Sequence, residues 1–247
     1  RVLFRSKGYD NQPGFTPDGH AVLYTVIGDD GQADIWRYSL AGGRPRRITV
    51  TAESEYSATA TPDGRGFSVI RVEADSTQRL WRFPLSGFGG PSLVLERVKP
   101  VGYHVWVGEH TLVLFVLGRP ATLQLADDRT GNAEIVAGDI GRALGKVPGR
   151  AAASFVHVVK DSGQWISELD VLTKSIRRIA QPPTGADFHA WTPQGTLLTG
   201  AGSVVYAWAD GRWQPVADFS RFGVRGLSRM SVSPKGDWLA FVADDAP

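Results

Sequence analysis

Five histidines and a scatter of carboxylates are the residues of this chain with the most chemical potential. Neutral imidazoles that converge with a carboxylate bind divalent metals, zinc above all among the transition metals and the oxygen-seeking calcium less so. A metal held that way lowers the pKa of bound water and polarises an ester or phosphoryl oxygen. His104, His157 and His189 are the candidate ligands. Glu55, Asp187 or Asp10 would supply a fourth ligand or a general base, and Arg142 or Arg229 would steady developing negative charge. The alternative is structural: a histidine in a polar mouth often only bonds a nearby carbonyl or carboxylate. Familiar catalytic strings are absent, with no Gly-x-Ser-x-Gly elbow, no His-Glu-x-x-His and no EF-hand loop. Gly141 to Lys146 has the wrong spacing for a phosphate-binding loop and reads as the lead-in to a strand. Asp29-Asp30-Gly31 reads as a hairpin turn.

Those histidines need elements to position them, and an internal repeat supplies them. Thr16-Pro17-Asp18-Gly19 recurs as Thr61-Pro62-Asp63-Gly64, Thr192-Pro193-Gln194-Gly195 and Ser233-Pro234-Lys235-Gly236. Weaker copies stand at Val147-Pro148-Gly149 and Val107-Gly108-Glu109, so the mark returns every 40–46 residues. Proline presets φ, aspartate bonds its own backbone and glycine accepts positive φ, so each mark is a hairpin turn. A short strand precedes the turn and an apolar one follows, such as Ala21 to Thr25 or Gly66 to Ile70. A third strand follows at Asp34 to Tyr38 and Arg79 to Phe83, and a fourth at Pro45 to Thr49 and Ser175 to Ile179. Four antiparallel strands in a repeat of this length make a propeller blade. The expected fold is all-β: one six-bladed β-propeller over residues 1–247. Its blades fall at 8–50, 51–97, 98–138, 139–181, 182–220 and 221–247 plus 1–7. Arg1 to Arg5 is expected to join the last blade and fasten the ring, with one further strand outside the sequence.

The register sorts the histidines. His20 and His110 fall at the turn rim. His104, His157 and His189 fall at the opposite mouth of the channel, with Asp10, Asn11, Tyr56, Tyr103 and Arg229 near them as ligand-binding candidates. Trp36 and Trp81 share one repeat position, as do Trp106 and Trp191, a recurrence that points to packing between blades. Trp208 and Trp213 flank a turn and are candidates for exposure.

Composition bounds the partners. The formal charge is +2, and the arginine groups (Arg44, Arg46 and Arg47; Arg177 and Arg178) are short and scattered, which argues against nucleic acid. Cysteine is absent, which excludes disulfides, cysteine-ligated zinc and thiol catalysis. The longest apolar run, Thr111 to Leu117, is far too short for a transmembrane segment.

The Thr-Pro-Asp-Gly turn, followed by Asp34-Ile-Trp-Arg-Tyr-Ser-Leu40 and Gly43-Arg-Pro-Arg-Arg-Ile-Thr49, resembles the WD40-like PD40 repeat that builds the propeller of the TolB family. The resemblance implies a solitary bacterial propeller of that type, without the α/β domain that precedes the TolB propeller. It implies a periplasmic or secreted monomer whose funnel takes a small molecule, a peptide or a divalent metal. The competing expectation is a metal-dependent hydrolase acting on a phosphotriester, ester or lactone.

Overall fold

The computed structural model describes residues 9–244. Blade one comprises β1 (Tyr9–Phe15), β2 (Ala21–Ile27), β3 (Ala33–Ser39) and β4 (Arg46–Arg47). Blade two comprises β5 (Ser54–Ala60), β6 (Gly66–Val72), β7 (Gln78–Pro84) and β8 (Ser92–Leu93). Blade three holds β9 (Val101–Trp106), β10 (Thr111–Val116), β11 (Thr122–Asp127) and β12 (Asn132–Gly138). Blade four holds β13 (Ile140–Lys146), β14 (Ala152–Val159), β15 (Gly163–Asp170) and β16 (Ile176–Ala180). Blade five holds β17 (His189–Trp191), β18 (Leu197–Ala201), β19 (Val204–Ala209) and β20 (Arg212–Asp218). A two-stranded hairpin follows, β21 (Arg225–Val232) and β22 (Leu239–Asp244).

The architecture is therefore an all-β propeller of five four-stranded antiparallel blades, with strands in sequence order in each. This corrects the expectation of six four-stranded blades. The sixth repeat supplies only two strands among the described residues. The proposed closing strand, Arg1 to Arg5, lies outside the described residues, and closure of the ring is not shown.

The turn chemistry behaves as its residues dictate. Thr16 Oγ1 donates to Asp18 Oδ1 at 2.6 Å, the same carboxylate accepts the His20 amide at 2.9 Å, and Gly19 takes φ +71°. Thr61, Asp63, Arg65 and Gly64 repeat the arrangement. Asp29 to Gly31 forms a hairpin turn closed by the Gly31 amide on the Gly28 carbonyl. Gly141 to Lys146 lies within β13.

Second strands carry most of the core. β2 and β6 are buried along nearly their whole length, as expected of strands covered on both faces. Each apolar cluster spans two neighbours. Leu23 and Ile35 of blade one pack with Ala58, Phe67 and Val69 of blade two. Val113 and Phe115 of blade three pack with Ala153, Phe155 and Leu169 of blade four. A lone blade would leave such faces wet, so stability is shared between neighbours.

First strands lie innermost and side by side: β5 touches β1 and β9, and β13 touches β9 and β17. β21 touches β17 on one side and β1 on the other. Nearly every first strand carries a bulge, at Asn11–Gly14 in β1, Tyr56–Thr59 in β5, Ile140–Leu144 in β13 and Ser228–Met230 in β21. Bulges re-aim side chains where a strand bends towards an axis. They set what the channel mouth displays.

Candidate functional site

His104 and His189 do occupy equivalent places, yet they are not at the surface of a funnel. Each is buried, at 7% and 5% exposure, in the seam between two blades. His104 Nε2 lies 2.6 Å from Ser68 Oγ of the preceding blade, and Trp106 Nε1 donates to the same oxygen at 2.9 Å. His189 Nε2 lies 2.7 Å from Ser154 Oγ, which accepts from Trp191 Nε1 at 2.8 Å. Each serine hydroxyl also reaches a backbone carbonyl, Thr59 or Gly145, at 3.3 Å. Indole is a donor only. The pattern that satisfies the most groups has the imidazole donate from Nε2 and the serine donate to the carbonyl. It leaves only the Nδ1 lone pair without a partner, and both Nδ1 atoms are indeed buried and unbonded. Burial pushes His104 down to about 3 and His189 down to about 4, so both rings are neutral at ordinary pH.

A serine and a histidine this close invite comparison with a nucleophile and its base. Here both serines are fully buried, and an indole N–H occupies a lone pair of each. These units are latches between blades. They also explain why Trp106 and Trp191 recur. Seams one–two and three–four place Leu23 and Val113 where the latches have Ser68 and Ser154, and pack with hydrocarbon instead.

His157 sits elsewhere, half-buried on β14, opposite Ile140 and Trp165 and tilted against Phe155 with ring centroids 5.4 Å apart. Burial first, and then Arg178, lower its pKa. His20 is exposed at the turn rim, and His110 Nδ1 lies 2.9 Å from Asp128. The structure thus does not bring His104, His157 and His189 together. Among the described residues no group of three histidine or carboxylate side chains is placed to hold a metal ion.

The acids are equally dispersed. Glu55 is fully buried, 3.0 Å from Arg71 Nε and 2.5 Å from Thr51 Oγ1. Burial raises its pKa, while Thr51 and Arg71 act against that rise. Arg71 is itself stacked over Trp81, 4.5 Å from the ring centre, so this pair locks blade two. Asp187 is exposed beside the start of β17. Asp10 points away from Tyr9 by strand alternation and acts on Tyr24, whose phenol burial and this carboxylate push up to about 12. Asn11 caps the bulge, its Oδ1 accepting the Gln12 amide at 2.8 Å, with Gln12 at φ +57°.

What does converge is a ring of aromatic and cationic side chains. Arg229 Nη2 donates to the Tyr103 hydroxyl at 3.0 Å. These residues stand on β21 and β9, which are not neighbours, so the bond crosses the central axis. The Arg229 guanidinium lies 4.3 Å from the Phe188 ring centre and 5.2 Å from that of Tyr103. Phe188 immediately precedes β17. Tyr9, on β1, has its phenol pKa raised by burial first. Arg229 and Arg142 oppose that rise, and Tyr103 and Tyr56 add to it. The six residues come from five blades and the β21–β22 hairpin, five of them from the start of a first strand or just before it and Arg229 from the middle of β21. Neither Arg142 nor Arg229 makes an ion pair with a carboxylate among the described residues. In blade order the set runs from tyrosines on blades one to three to arginine, phenylalanine and arginine on blade four, blade five and β21.

Of the expected site residues, Tyr103 and Arg229 are therefore in direct contact, and Tyr56 and Arg142 lie near enough to act electrostatically on Tyr9. Tyr9 and Phe188 escaped the sequence reading. The repeat register carried a signal for Phe188, which precedes Pro193 by the same interval as Arg229 precedes Pro234. Tyr9 lies two residues before Asn11, on the same face of β1, and the bulge at Gln12 hides its place.

No family profile matches the chain, and no curated protein matches it in sequence. Its fold is that of a TolB-like propeller. A putative TolB from Agrobacterium tumefaciens superposes with a TM-score of 0.75 at 19% identity, over 99% of this chain and 94% of that one. TolB from Acinetobacter baumannii gives 0.73 at 13% identity, over 93% of this chain and 59% of that one. A gluconolactonase from Xanthomonas campestris gives 0.72 at 10% identity, over 96% and 83%. At these identities the likeness concerns the fold alone.

Proposed function

We propose that the chain is a ligand-binding propeller, and that its mouth takes a small anionic molecule between Arg142, Arg229 and the facing tyrosines. One observation carries this reading: Arg229 is held across the axis, stacked on two rings and bonded to the Tyr103 hydroxyl, with no ion-pair partner among the described residues. A guanidinium has five N–H donors in a rigid fork. Structural arginines of this chain are matched with carboxylates, as Arg71 is with Glu55 and Arg177 with Glu168. Arg229 instead reaches across the axis, and the exposed Arg142 has no carboxylate partner among the described residues, so an incoming anion would complete them.

The described residues contain no helix long and apolar enough to cross a membrane, and the TolB-like fold supports an exported, periplasmic setting. That one fold neighbour is a gluconolactonase supports a small-molecule ligand over a macromolecular one. The test is a thermal-shift screen of small anions, cations and neutral solutes with the wild type and Arg142→Ala/Arg229→Ala. Anions should stabilise the wild type alone. Equal stabilisation of both proteins removes the mouth as the site.

A further inference from the structure

We infer that the ligand is a sugar acid, a carboxylate carried on a polyhydroxylated ring. Its carboxylate docks on the Arg142–Phe188–Arg229 side and its hydroxyls face Tyr9, Tyr56 and Tyr103. The inference rests on the mouth being the binding site, and goes further by fixing the chemistry of its occupant.

Three features lead there. The first is the state of Arg229. Phe188 and Tyr103 cover the guanidinium, and one of its donors is spent on the Tyr103 hydroxyl. The remaining fork suits a planar, two-oxygen acceptor, and rotation is already restricted, so little freedom is lost on binding. The second is the division of the ring. Both arginines lie on one arc, flanking Phe188, whereas the opposite arc is phenolic. A ligand that satisfies both arcs is charged at one end and rich in hydroxyls at the other. Phenol hydroxyls both donate and accept, as sugar hydroxyls do. The third is the aromatic character of the ring: Tyr103 and Phe188 hold Arg229, Tyr56 packs against the core between blades two and three, and the partly buried Tyr9 completes a set of four that suits the C–H face of a pyranose. A bare inorganic anion would use the arginines and leave the phenolic arc idle.

Isothermal titration calorimetry on the full chain separates these contributions, with D-glucuronate, D-glucose, acetate and inorganic phosphate as probes. D-glucuronate is expected to bind at least about tenfold more tightly than each of the others. D-glucose lacks the charge-assisted bonds, which are worth roughly 10–100-fold. Acetate and phosphate lack the hydroxylated body. Arg229→Ala should weaken D-glucuronate at least about tenfold, and Tyr103→Phe by a smaller factor, with both variants retaining the wild-type circular dichroism spectrum. Acetate or phosphate binding as tightly as D-glucuronate, with the same loss in Arg229→Ala, would overturn the sugar-acid inference and leave an anion-binding mouth. No binding by any anion, or D-glucuronate affinity unchanged in Arg229→Ala, would overturn the mouth reading as well.

Discussion

Ser154→Ala tests the reading of the blade seams most sharply. The substitution removes one oxygen from a fully buried site and opens almost no cavity, so a packing account predicts a small effect. The hydrogen-bond account predicts a large one. Trp191 Nε1 and His189 Nε2 both lose the oxygen they share, at 2.8 and 2.7 Å. A buried polar group left without a partner costs about 1–3 kcal/mol. Trp191 is only partly buried, so the sum is about 3 kcal/mol rather than the maximum. For a domain of this size that lowers Tm by roughly 6–12 °C. Urea unfolding of Ser154→Ala, Trp191→Phe and the double variant gives the coupling directly. Phenylalanine has no donor to strand, so the double variant should cost less than the two single ones together by about 1 kcal/mol. A loss below about 0.5 kcal/mol in Ser154→Ala, with additive behaviour in the cycle, would refute the latch.

Acid should act on the same units. His104 and His189 are held at about 3 and about 4 in the folded chain, below the ordinary imidazole value of 6.5. The unfolded chain therefore binds more protons, and stability is full above pH 6.5 and falls as the pH drops towards 4. The loss by pH 4 is on the order of 3 kcal/mol per imidazole. His189→Gln, which keeps a donor and does not titrate, should flatten part of that slope in denaturant titrations at stepped pH. Gly145→Ala should destabilise by about 1–2 kcal/mol, because the added methyl would lie 3.0 Å from Ser154 Oγ and 3.3 Å from Trp191. Differential scanning calorimetry would register it. Glu55→Ala leaves the buried Arg71 guanidinium with only Glu53, 3.9 Å away, and should cost about 3 kcal/mol in chemical unfolding.

Much of the architecture was legible because turns are local. Thr-Pro-Asp-Gly dictates a hairpin from four residues, and the strands around it alternate in a way that Asp34-Ile-Trp-Arg-Tyr38 and its parallel Arg79 to Phe83 make plain. What the turns cannot say is how many strands each repeat completes. The fourth strand expected over Pro45 to Thr49 pairs only at Arg46–Arg47, and the sixth repeat stops at two strands among the described residues. The site was legible in part for the same reason. Repeat position correctly grouped His104 with His189, but a first strand has two faces. One side of β9 displays Tyr103 at the mouth, and the next residue turns His104 into the seam. The bulges at Tyr56–Thr59 and Ile140–Leu144 shift that alternation from blade to blade. Ser68 and Ser154, on the second strands of preceding blades, are ordinary core positions in sequence, and only packing reveals them as partners of the histidines.

The central claim is that Arg229 is the anchor of an anionic ligand at the channel mouth. Arginine side-chain NMR measures this most directly, with the Arg229 Nε–Hε resonance assigned by its disappearance in Arg229→Lys. Titration with D-glucuronate should shift that resonance saturably and slow its exchange with water, leaving Arg150 and Arg177, already paired with Glu168, unmoved. An Arg229 resonance that stays fixed while D-glucuronate binds the protein would contradict the account.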